Sequence, residues 1–145
     1  MPDFQNTFMT FANGSCEPDQ WKKYFQNYKP ETWDAEGDGV LSYRSDADKD
    51  YSLVILHWSD FGFLLQLTCD NLKTKSPEYC FFSLREKSRL DEFAELDDLT
   101  YPVGCFLSPQ NAWLAVEDFL NHPEEPSPRI QWIEDGEIEW PESIL

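Results

Sequence analysis

The chain has 145 residues, 41% of them hydrophobic and 16% aromatic. That suits one domain with a continuous core and excludes an acidic disordered segment, because such segments lack the apolar groups that offset ordering entropy. Its 28 acidic and 11 basic residues give a net charge of −17, a field that repels nucleic acid and anionic membrane and attracts cationic macromolecules, although a merely solvated acidic surface satisfies the same composition.

The opening, Met1 to Gln5, carries no basic n-region, and the apolar stretch from Phe8 to Ala12 is short for a signal peptide, so a cytoplasmic location is expected. No run reaches the length of a membrane span. Cys16, Cys69, Cys80 and Cys105 lack CxxC spacing and are expected as reduced structural thiols, in a compartment where the sequon Asn13-Gly14-Ser15 is silent. From Asp19 a helix is predicted, with Trp21, Tyr24, Phe25 and Tyr28 on one stripe and Pro30 ending it. "WDAEGDGV" then predicts a turn-rich connector around Gly37, Asp38 and Gly39. Strands follow at "GVLSYR", "YSLVILHW", "FGFLLQLTC" and "YCFFSL", each rich in β-branched and aromatic residues, with Ser59, Asp60 and Gly62 turning the second into the third. Continuous apolarity from Leu53 to Leu56 predicts a strand covered on both faces.

"SRLDEFAELDDL" predicts a short helix opening near Arg89, on a weak capping pattern between Ser88 and Asp91. Such a helix would gather Leu90, Phe93, Ala94 and Leu96 on one side and Asp91, Glu95 and Asp98 on another. Like charges at that spacing cost about 0.2–0.5 kcal/mol per pair, which Asp91 and Glu92 recover in part from the helix dipole and Asp97 and Asp98 do not. Further on, Ser108 as N-cap and Pro109 at the first helical position predict a helix with Ala112, Trp113, Val116, Phe119 and Leu120 inward and Glu117 and Asp118 outward. Pro123, Pro126 and Pro128 predict an extended linker, and "RIQWIE" and "EIEW" two short strands joined at Asp135-Gly136. Together these elements predict an α+β fold: one domain over residues 1–145, with a central antiparallel sheet of four to six strands, an N-terminal helix and a helix near residues 109–121.

No catalytic or cofactor signature appears, and a non-enzymatic role without cofactors is expected. Asp46, Asp48 and Asp50 occupy the first places of a calcium loop, but Tyr51 stands where Gly must turn and His57 where a bidentate Glu must close the shell. His57 and His122, the two histidines, have no second ligand nearby for zinc, and His57 reads as a hydrogen-bonded core residue. Two acidic stretches are the candidate partner-binding surfaces. The first comprises Asp91, Glu92, Glu95, Asp97 and Asp98. In the second, Glu134, Asp135, Glu137, Glu139 and Glu142 surround Trp140, whose ring anchors while the charges steer.

The segment from Pro102 to Trp132 resembles immunity proteins of bacterial polymorphic toxin systems, closest to the family numbered one in that nomenclature. The resemblance lies in "FLSPQNAWLAVEDFL", with its Glu117-Asp118-Phe119 close, followed by Pro128 and "RIQW", and in the preceding hairpin "SLVILHWSDFGFLLQL". The chain departs from that family by inserting His122 to Pro126 and by a C-terminal extension. The resemblance implies an antidote that binds a cognate toxin domain, commonly a nuclease or deaminase, and it carries over no catalytic residues. Its expected partner is a basic toxin domain, with neither nucleic acid nor membrane bound. An acidic adaptor or chaperone, and a hydrolase whose site assembles in three dimensions around His57, stay open as alternatives.

Overall fold

A computed structural model of the chain describes residues 4–6, 18–36, 39–45, 47–96 and 99–140. The elements run β1 (Phe4–Asn6), α1 (Pro18–Gln26), α2 (Pro30–Glu36), β2 (Gly39–Arg44), β3 (Lys49–Trp58), β4 (Gly62–Asn71), β5 (Ser76–Leu84), β6 (Phe93–Leu96), β7 (Leu99–Pro102), α3 (Pro109–Asn121) and β8 (Gln131–Glu134). A six-stranded antiparallel sheet in the order β1-β2-β3-β4-β5-β8 forms the centre, and β6 and β7 pair as a separate hairpin. This is the expected α+β architecture, with its N-terminal helix and its helix over 109–121.

Side chains alternate across the central strands and so supply two cores. Toward the helices point Leu53 and Ile55 of β3 and Phe63, Leu65, Leu67 and Cys69 of β4, packed with Trp21, Phe25, Trp33, Trp113 and Val116. Toward the hairpin point Leu56, Trp58, Leu64, Phe82 and Leu84, packed with Ala94, Val103, Phe106 and Ile138. The apolar run from Leu53 to Leu56 is therefore covered on both faces, as predicted. Each fully buried Trp, Phe or Leu contributes about 1.5–3 kcal/mol relative to exposure, so both layers are essential. The β3–β4 turn depends on Gly62, at φ +107°, where a Cβ would lie 2.4 Å from the Leu107 carbonyl oxygen. Ser108 caps α3 by accepting from the Asn111 N–H at 3.2 Å.

Three predicted elements differ. Helix α1 stops at Gln26, and Pro30 begins α2 rather than ending α1, so the first four residues of the predicted connector, 33–36, are helical, while Gly37 and Asp38 lie outside the described residues. Proline's fixed φ suits a helix's first turn as well as its end, and the burial of Trp33 against Phe25 and Phe63 supplies the reason for a start. The predicted helix over "SRLDEFAELDDL" is a short 3-10 turn, Lys87–Arg89, followed by β6 and, beyond residues 97 and 98, by β7. A hairpin buries Ala94 against Phe82 and Phe106, and as a strand the segment avoids stacking Asp91 on Glu95. Finally, "EIEW" forms no strand: Asp135–Glu137 is a 3-10 turn, and Ile138 enters the second core instead of pairing.

The acidic loop before β3 is a tight turn in which Asp48 adopts φ 57° and the Ser45 hydroxyl accepts from the N–H groups of Ala47 and Lys49. Asp46 lies outside the described residues.

Candidate functional site

The two acidic stretches that the sequence offers as competitors meet. Beyond β5, the N–H groups of Arg85 and Glu86 both donate to the Gly104 carbonyl, at 2.7 and 3.0 Å. Gly104 is required there, because a Cβ would sit 2.1 Å from the Glu86 carbonyl oxygen. This contact presses the Lys87–Arg89 turn onto the Val103–Cys105 turn and fixes the path of Leu90 and Asp91 into β6. The Val103 N–H donates to the Glu92 carbonyl at 2.7 Å and locks the same approach.

The second stretch arrives from β8, which pairs with β5 from Phe81↔Glu134 to Leu84↔Gln131. Its 3-10 turn drops Ile138 into the core, 5% exposed, and the Trp140 indole N–H donates back to the Asp135 carbonyl at 3.1 Å. The Trp140 ring lies 5.5 Å from Phe82, 6.5 Å from Phe93 and 6.3 Å from Tyr101, centroid to centroid. Between the two segments runs a groove of about 350 Å³. Leu90, Phe93 and Ile138 supply its apolar lining, and Lys87, Asp91, Glu137 and Glu139 its charges, so one cation faces three carboxylates.

Arg89 does not offset that surplus. Its guanidinium donates to both carboxylate oxygens of Glu92, at 3.0 and 3.2 Å, and these bonds hold the Glu92 carboxyl below its ordinary value.

Of the predicted contact residues, Asp91, Glu137 and Glu139 line this groove, with Trp140 behind it. Glu92 is committed to Arg89. Glu95 is exposed on β6 opposite Thr100, and Glu134 is exposed on the edge strand β8; neither lines the groove. Asp135 is exposed and contributes its carbonyl to Trp140. Asp97, Asp98 and Glu142 lie outside the described residues. The predicted helical ridge of Asp91, Glu95 and Asp98 is therefore replaced: Asp91 precedes a strand, in which Glu95 faces solvent.

Reasoning from sequence missed Lys87 and Ile138 as lining residues. Residues 93–96 are too few to show a strand period, and no sequence signal brings residue 91 to residue 139.

A second groove, of about 280 Å³, is lined by Leu84, Arg85, Asn111 and Arg129 among others. Its Arg129 is engaged by Asp118 and Glu117, at 2.7 and 2.9 Å.

His57 is 6% exposed, its Nε2 is hydrogen-bonded to the Tyr28 hydroxyl, and the rings of Tyr28, Trp33 and Phe63 enclose it. It lines neither groove. Among the described residues no group of three or more His, Cys, Asp or Glu side chains is placed to hold a metal ion, and no helix is long and apolar enough to cross a membrane. Cys69, Cys80 and Cys105 are free thiols. No protein-family model, curated protein or solved structure matches this chain, so the meaning of the groove is carried by its own residues.

Proposed function

We propose that this chain is an immunity-type protein that binds a cationic toxin domain and neutralises it by covering it with an acidic, aromatic-bearing face. The observation that carries this reading is the convergence of Asp91, Glu137 and Glu139, from segments far apart in sequence, around a groove walled by Phe93 and Ile138 on a chain of net charge −17. The long-range field accelerates encounter with a basic partner, and the apolar wall supplies the short-range contact that charge alone does not. The immunity role itself is what the order of parts from Pro102 to Trp132 implies by resemblance. Such a protein acts in the cytoplasm, by occlusion and without a cofactor.

The test is co-expression with a panel of basic nuclease and deaminase toxin domains. Rescue of growth and a stable complex are expected, with association slowed and its salt dependence flattened in the triple variant Asp91→Lys, Glu137→Lys, Glu139→Lys. Absence of rescue, or weak capture of many unrelated clients in its place, overturns the reading and favours an adaptor.

A further inference from the structure

We infer that the groove between Leu90 and Glu139 is the anchor site for a single arginine side chain of the partner. This rests on the proposed role as a binder of basic proteins and adds the residue class that is bound.

The argument starts from the two kinds of lining. Leu90 and Phe93 are half-buried, so an extended aliphatic stem laid along them removes apolar surface from water, over a floor to which the buried Ile138 contributes shape rather than exposed area. Asp91 approaches from one segment and Glu137 and Glu139 from the other, all exposed, so a planar guanidinium with five donors meets acceptors from two directions. An ammonium offers a point charge to the same arrangement and gains less. Phe93, half-buried in the lining, adds an aromatic ring, which arginine uses more often than lysine. At about 350 Å³ the groove has room for an arginine side chain along its full length.

Lys87 lines the same groove and is its one cation. It repels the incoming guanidinium, so removing its charge strengthens binding, an effect of opposite sign to any loss of folding.

The experiment uses the full chain, titrated with N-acetyl-Gly-Arg-Gly-amide and with the lysine and norleucine analogues, and followed by backbone amide and indole N–H shifts. The arginine peptide is expected to move the signals of Asp91, Phe93, Ile138, Glu139 and the Trp140 indole, and to bind more tightly than either analogue. Asp91→Asn and Glu139→Gln are each expected to weaken it about two- to fivefold, and Lys87→Gln to tighten it by a similar factor. Equal affinity for the three peptides, shifts confined to other surfaces, or indifference to all three variants overturns the inference. These outcomes separate it from the broader reading. Toxin neutralisation that survives with no arginine response retires the anchor alone, and an arginine response without neutralisation retires the toxin-directed role alone.

Discussion

Ser83 shows how one polar side chain ties the site-bearing layer to the sheet. It is 0% exposed; its hydroxyl accepts from the Leu65 N–H at 3.0 Å and donates to the Cys105 carbonyl at 2.7 Å. The hydroxyl thus takes the place of a ladder bond between β4 and β5 and secures the Val103–Cys105 turn that carries Gly104. Ser83→Ala removes both bonds and leaves a buried donor and a buried acceptor unpaired, a cost of about 2–3 kcal/mol. The expected outcome is a lower urea midpoint at unchanged m-value, and an unchanged midpoint would show that the turn is held without it. The neighbouring Cys105 thiol, pushed up to about 12 by burial, is a packing group and not a nucleophile.

At the scale of elements, the return from α3 to β8 depends on one clamp. Arg129 donates to Asp118 through Nε at 2.9 Å and through Nη2 at 2.7 Å, and also reaches Glu117 at 2.9 Å and the Leu114 carbonyl at 3.1 Å. The Ser127 hydroxyl donates to Asp118 as well, and Trp132 donates to the Ser127 carbonyl at 3.0 Å, so the proline-rich linker is bonded to the helix that precedes it and the strand that follows. Burial pushes the Asp118 carboxyl up, but the bonds from Arg129 and Ser127 outweigh it and hold the group below its ordinary value. A carboxyl depressed by folding adds stability that is complete above its unfolded pKa, near 4, and is lost as pH falls through the folded value. Arg129→Ala is therefore expected to cost about 1–2 kcal/mol at neutral pH, and the gap from the parent should close below about pH 4 as Asp118 protonates. Thermal melts across pH 2.5–7 check this, and a gap that widens in acid would contradict it. The same scale explains why β6 and β7 replace the predicted helix. Each of these strands has four residues, too few to display a period, and the preference for a hairpin comes from the apolar surface of Phe82 and Phe106 beneath Ala94.

For the whole molecule the dominant quantity is charge. At −17 the folded chain repels itself, and screening relaxes that repulsion more in the compact state than in the expanded one. Raising sodium chloride from about 10 mM to about 300 mM is expected to stabilise the fold by about 1 kcal/mol or more, seen as a Tm higher by several degrees. A Tm that is flat or falls with salt would mean that the paired charges, such as Arg129 with Asp118 and Lys49 with Glu78 at 3.0 Å, outweigh the unpaired ones. Much of the fold was legible in residues 39–84 and 108–121, because alternation, turn chemistry, an N-cap and a proline at the first helical position act between near neighbours. Local terms alone thus determined strands β2 to β5 and β8, the capped helix, the α+β class and the acidic charge of the chain, but not β1, whose three residues carry no strand signal. Tertiary structure alone decided that Pro30 starts a helix, that residues 93–102 form a hairpin and that Ile138 leaves the surface. It also decided that Asp91 shares a groove with Glu139. Each of those outcomes is set by apolar surface offered by distant residues, and burial of that surface outweighs the few tenths of a kcal/mol by which local preference separates helix, strand and turn.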